Sequence, residues 1–419
     1  MELQKKLLAL ISASTLVLGT AFPAVASISG TASNSGNGAG STNRTKIEVG
    51  TETVVSQGNQ ACIHNKVNIN SNTGHNKANY NTGGDVSIET GGVDVEIGVK
   101  NSANANFAEV EACVGCDYDI LVENVGNGAG SENKAKVGIE SATVLWQENK
   151  AKVGNDVNVN SDTGHNKANY NTSEGGEVSI ETGPADTVIG IDNAVNTNQA
   201  VVGGGDGLAM GLGGGDGLIT VRNEGNGAFS DNKAKAEIET QTVVTQANRA
   251  RVRNDVDVNA DTGHNKAKYN TGGDVEMETG PIDLGVGVRN SLNLNAASVD
   301  DCCDLDLLAE NHKNGSDSEN KTKIEYTAGD ITWQENKGTA KNEVDGKLET
   351  GHNKSNYGTA DDMMTGDVEA DVVVETEANT NVLGHVDFDF ADWNGIDIDF
   401  DNGFGGRFFG WWLWMWLAR

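Results

Sequence analysis

The chain has 419 residues, with 61 acidic against 30 basic side chains and a formal net charge of −31 at neutral pH. That balance repels nucleic acid and anionic lipid and favours cations or basic surfaces as partners. Aromatics are only 5% of a sequence that holds 54 glycines and 3 prolines, which excludes a globular core of large side chains, while regularly placed Val, Ile and Thr exclude disorder.

Residues 1–26 read as a secretory signal peptide. Lys5 and Lys6 lead an apolar run from Leu7 to Leu18, and Ala24-Val25-Ala26 forms a small-x-small cleavage site before Ser27. The expected product is an exported, extracellular or cell-surface protein of a bacterium, and losing two lysines and one glutamate takes its charge from −31 to −32.

Four large repeat units follow, at 27–120, 121–219, 220–308 and, in degenerate form, 309–382. A GHN triplet recurs with its glycine at 74, 164, 263 and 351, and an upstream asparagine recurs at 37, 127, 226 and 314. Both series step by 90, 99 and 88 residues. A finer Asn-x-small box lies inside each unit: Asn43, Asn59 and Asn76; Asn133, Asn149 and Asn166; Asn232, Asn248 and Asn265; Asn320, Asn336 and Asn353. Its steps are 16 and then 17 residues in every unit, so length variation is pushed to one place per unit, as stacked repeats with loops on one side require.

Around these boxes the pattern is β. From Asn232, "NKAKAEIETQTVV" alternates small or apolar with charged residues, the period of a strand with one buried face. The fold class expected is all-β: an elongated β-solenoid of 16–17-residue rungs grouped in four units, or alternatively an arcade of antiparallel hairpins. About twenty such rungs would stack to about 100 Å. In a solenoid the twelve box asparagines would form ladders, each amide bonding to the rung above and below.

The G-x-N-x-A of "GHNKA", with Gln57, Gln147, Gln246 and Gln334 placed periodically nearby, resembles the curlin-type repeat over most of residues 31–382. It is also similar to Asn/Gly-rich repeats of other secreted bacterial proteins. The resemblance implies β-solenoid subunits of an extracellular fibre. Curlin repeats, however, have two residues between Gly and Asn where GHN has one.

Of the remaining groups, Cys113 and Cys116, and Cys302 and Cys303, occupy equivalent variable segments and are candidates for local disulfides in an exported chain, leaving Cys62 odd. His75, His165, His264 and His352 are copies of one position; five rungs apart they would stand about 24 Å from each other and could not share an ion. They are expected to be structural turn residues. "GGGDGL" at 203–208 and 213–218 is similar to the calcium-binding glycine repeat, but its period is ten residues rather than nine and its Asp comes one residue early, so it reads as a flexible insertion loop.

Residues 383–403 read as an acidic β-hairpin turning at Asn394-Gly395, with Asp387, Asp389, Asp397, Asp399 and Asp401 on one face as a candidate calcium site. Residues 404–419 form an aromatic tail whose Trp411, Trp412, Trp414 and Trp416 suit a membrane interface or the cell envelope, or a cap on the last rung. Its apolar run is too short to span a bilayer. No catalytic constellation is present outside the repeat, so no enzyme activity, organic cofactor or nucleic-acid partner is expected. The reading is a structural protein acting in adhesion or fibre-like self-association. The alternative is a repetitive-face binder of glycan, ice, mineral or cations.

Overall fold

The computed structural model describes residues 5–15, 28–110, 118–172, 175–203, 217–299, 305–356 and 360–384. Every element there is a strand. Strand β1 is Lys5–Thr15, and unit one supplies β2 (Ile28–Ser35), β3 (Thr42–Asn72), β4 (Val86–Glu89) and β5 (Val93–Val110). Unit two supplies β6 (Tyr118–Val125), β7 (Glu132–Asp162), β8 (Lys167–Asn169), β9 (Val178–Thr182) and β10 (Ala185–Val202). Unit three repeats these as β11 (Gly217–Glu224), β12 (Asp231–Asp261), β13 (Lys266–Lys268), β14 (Asp274–Thr279) and β15 (Ile282–Val299). Unit four does so as β16 (Leu305–His312), β17 (Glu319–Glu349), β18 (Lys354–Asn356), β19 (Ala360–Met364) and β20 (Val368–Leu383).

Each strand of a unit pairs with its equivalents in the neighbouring units, and β1 pairs with β5, always parallel. The sheets run β16-β11-β6-β2, β17-β12-β7-β3, β18-β13-β8, β19-β14-β9-β4 and β1-β5-β10-β15-β20. The result is a β-solenoid-like coil, and the antiparallel hairpin arcade is corrected. The 16–17-residue rung is corrected as well. Asn43 pairs with Asn133, which pairs with Asn232 and then Asn320, so the hydrogen-bonded neighbour lies 90, 99 or 88 residues away.

The finer step runs along a strand instead. Asn43 and Asn59 both lie on β3, and an even step of 16 returns the side chain to the same face of a pleated strand. The long dimension turns with it: a 31-residue strand reaches about 100 Å at roughly 3.3 Å per residue, while four rungs stack to only about 20 Å.

The cross-section is two-layered. The long β7 faces β6 over one half and β10 over the other, so Val137 and Ile139 pack with Ile120 and Val122, Leu145 with Ala200 and Val202, and Val157 and Val159 with Ile189 and Ile191. Between these apolar strata lie layers of buried amides at Asn133, Gln147, Asn149 and Asn155. Small and β-branched side chains fill most of this thin interior, with Tyr118 as a buried aromatic at the β6 end. The segment read as a signal peptide contributes β1, which lies along the outer edge of β5 from Val93 to Ala103.

Candidate functional site at the GHN corner

The corner that joins each long strand to the short strands after it is built by the motif T-G-H-N. At its glycine, successive rungs approach so closely that a Cβ on Gly164 would stand 2.1 Å from the Gly263 carbonyl oxygen. No other residue fits. The histidine then turns the chain through the left-handed region, with φ of 60° at His75 and His165 and 58° at His264, a region that only a few non-glycine residues tolerate.

The asparagine closes the corner. Asn166 Nδ2 donates to Thr163 O at 3.0 Å and to Asn265 Oδ1 at 3.0 Å, while the Asn166 backbone N–H donates to the same Oδ1 at 3.0 Å. Opposite, the E-T-G corner is clasped to it: Thr163 Oγ1 donates to Gly183 O at 2.9 Å, and Thr182 Oγ1 to Thr262 O at 3.1 Å.

This stacking corrects the spacing expected for the histidines. His75, His165, His264 and His352 form one column with ring centroids 4.8 Å apart at each step. The estimate of about 24 Å assumed five short rungs per unit, whereas one unit makes one full turn. Tyr80, Tyr170 and Tyr269 form a second column, stacked at 5.0 and 4.9 Å.

Beside the histidines runs a column of side chains from the ends of the long strands: Asn72, Asp162, Asp261 and Glu349. Asp162 and Asp261 are buried, and their Oδ1 atoms accept the backbone N–H of Gly164 at 3.0 Å and Gly263 at 2.8 Å. That leaves Oδ2 for the rings, with His75 Nδ1 3.3 Å from Asp162 Oδ2 and His264 Nδ1 3.0 Å from Asp261 Oδ2. Nδ1 of His165 is shut off from solvent without a hydrogen bond.

The twelve box asparagines make three kinds of contact. Asn43, Asn133, Asn232 and Asn320 form one continuous ladder, each Nδ2 donating to the next Oδ1 at 2.8–2.9 Å. Asn76, Asn166, Asn265 and Asn353 form another at the GHN corner, at 3.0–3.1 Å. Asn59, Asn149, Asn248 and Asn336 instead donate across the core to Asn106, Asn198, Asn295 and Asn381, at 2.7–2.8 Å.

The facing partners were missed in the sequence, although Asn-x-x-Asn-x-Asn stands at Asn101, Asn193 and Asn290 in the three full units. Gln57, Gln147, Gln246 and Gln334 ladder in the opposite sense, the last three each donating back to the previous rung at 2.7–2.9 Å.

Charges are arranged on the outer faces. Lys136 and Lys235 flank Glu237, and those two ammonium groups hold its carboxyl down to about 2. Asp94, Asp186 and Asp283 stack in one column. There burial, and then the charges of Asp283 and Asp94, push Asp186 up to about 6.

Cys62 is exposed and free. Cys113, Cys116, Cys302, Cys303, the aspartates from Asp387 to Asp401 and the tryptophans from Trp411 to Trp416 lie outside the described residues. No helix of the described residues is long and apolar enough to cross a membrane. The chain matches no family model, no curated protein and no solved structure.

Proposed function

We propose that the chain is an exported structural protein of the cell surface or extracellular matrix, whose copies self-associate head to tail by continuing the stack. The observation that carries this reading is the pair of open ends. Among the described residues nothing pairs with the outer edges of β3 and β17, each 31 residues long. Exposed parallel edges of that length template the addition of another strand.

The ends are also complementary. Asn320 accepts from Asn232 and donates to no described residue, while Asn43 donates upward and its Oδ1 accepts from none. Two charge columns begin with a lysine and end with a glutamate: Lys100, Asp192, Arg289 and Glu375 alternate in sign, while Lys66 is followed by Asp156, Asp255 and Glu343. A fourth unit stacked on a first unit would therefore set Glu375 against Lys100 and Glu343 against Lys66. The last rung leaves Tyr326, Ile331 and Trp333 more than half exposed, and a further rung would cover part of that surface. Signal-peptide removal on export would take away β1 and open the outer edge of β5. Such a heterologous contact does not close, so it grows filaments.

The test is electron microscopy and fibre diffraction of the purified protein lacking residues 1–26. The expected result is ribbons about 100 Å wide, with a 4.8 Å axial spacing and a subunit repeat of about 19 Å. A monodisperse monomer at every concentration, by light scattering, would overturn the reading.

A further inference from the structure

The geometry points to a divalent transition-metal site at the GHN corner, formed between successive rungs by two imidazoles and one carboxylate. Three groups bring their ligand atoms within 4.8 Å of one another: His75, Asp162 and His165; His165, Asp261 and His264; His264, Glu349 and His352. Imidazole with one carboxylate suits zinc and its neighbours, and it leaves a coordination position for water. The half-exposed rings keep an entry path open, since the side chains of His75 and His165 are 58% and 38% accessible.

Two features favour an ion over a plain hydrogen-bonded turn. His165 Nδ1 makes no hydrogen bond, yet Asp162 Oδ1 and Asp261 Oδ2 stand on either side of it, both at 3.6 Å. A lone pair there is repelled by both carboxylates, and a proton there finds neither oxygen within hydrogen-bond distance, whereas a cation would bridge the nitrogen to them. In addition, the carboxylates are already oriented from behind, because Gly164 and Gly263 donate to their other oxygens, the outer support that ligating groups need. Two nitrogens bound at about 2.0–2.1 Å are at most about 4.2 Å apart. Rings stacked at 4.8 Å and within 5° of parallel therefore reach one ion only after both side chains rotate to aim their in-plane lone pairs at it and the nitrogens close by about 1 Å.

Sharing sets the stoichiometry. His165 and His264 each belong to two groups, so filling the first and third groups uses every histidine once and excludes the middle one. About two ions per chain follow. The column ends against Asn72, the one position of the four without a carboxylate. A junction between copies would add no ion, so binding is a property of one chain and stands or falls apart from filament growth.

Zinc binding is measured by equilibrium dialysis on the full chain with its cysteines alkylated, beside a His165→Asn/His264→Asn double variant. Asparagine accepts the left-handed backbone, so the variant is chosen to keep the fold, checked by circular dichroism. The expected result is a loss of about two ions per chain in the folded variant. Equal zinc uptake by both proteins would overturn the proposal. If the variant fails to fold, diethylpyrocarbonate labelling of the unaltered chain decides: zinc protects His165 and His264 from modification, and unchanged labelling of both rejects the site.

Discussion

Left-handed residues carry a cost that the stack offsets at some positions and not at others. Tyr80, Tyr170 and Tyr269 have φ of 58–61°, but their rings stack on one another, and aromatic pairs of this kind return about 0.5–1.5 kcal/mol. Phe229 has φ of 60° where units one and two place Gly40 and Gly130 and unit four places Asp317. It has no aromatic neighbour in its column, and it is 68% exposed. Phe229→Gly should therefore raise stability by about 0.5–1 kcal/mol, read as a higher thermal midpoint; a lower midpoint would show that the ring has a contact that matters.

At the same scale the sequence was legible in part. The box asparagines could be found because Asn recurs at fixed steps. Asp162 and Asp261 stand three residues before His165 and His264 in "DTGH" and touch those rings within one rung, a local signal missed in the sequence. The contacts of His75 with Asp162 and of His165 with Asp261 exist only between rungs and leave no local trace.

Among the strands, the outer faces mix columns that attract with columns that repel. Asp186 belongs to a repelling column in β10, with Asp94 and Asp283 on the strands either side. Its folded-state value of about 6 lies above the ordinary 3.8, so the folded protein holds this proton more tightly than the unfolded chain. Stability from this group is fully present below about 4 and is lost as pH rises towards 6. Asp186→Asn should raise stability at pH 7 by on the order of 1 kcal/mol, a figure reduced for the group's partial exposure, and should flatten that part of the pH profile. Unchanged stability at pH 7 would mean that water screens the column.

The Lys–Glu lattice on β7, β12 and β17 acts in the other direction. Glu237 is held low by Lys136 and then Lys235, so its contribution is present above about 4.5 and fades as pH falls towards 2. Element type was readable from alternation in "NKAKAEIETQTVV". Element length was not. Box steps of 16 and 17 residues mimic the period of a short rung, and only the register across 90 residues shows that both first boxes sit on one strand.

For the whole molecule, the order of charges gives the stack a direction. Glu375 and Glu343 stand on the last rung and would face Lys100 and Lys66 of a following copy. Glu343→Lys/Glu375→Lys would set lysine against lysine at every junction, while both sites keep the exposure of an end rung. Ribbon formation should be lost at low salt and return as salt screens the repulsion; ribbons growing undiminished at low salt would mean that copies meet through another surface.

Because one rung is one whole unit, the fold holds a large length of chain in reserve along its axis. A rung adds about 4.8 Å to the height of the stack, yet its roughly 90 residues extend to about 300 Å when pulled straight. Tension applied between the ends of a chain would peel rungs one at a time from the open edges. Each step gives some sixty times the length it had when folded, and each recloses on the intact rung beneath, which still presents the register. A short stack tethered between two surfaces would thus yield in steps of fixed length under load.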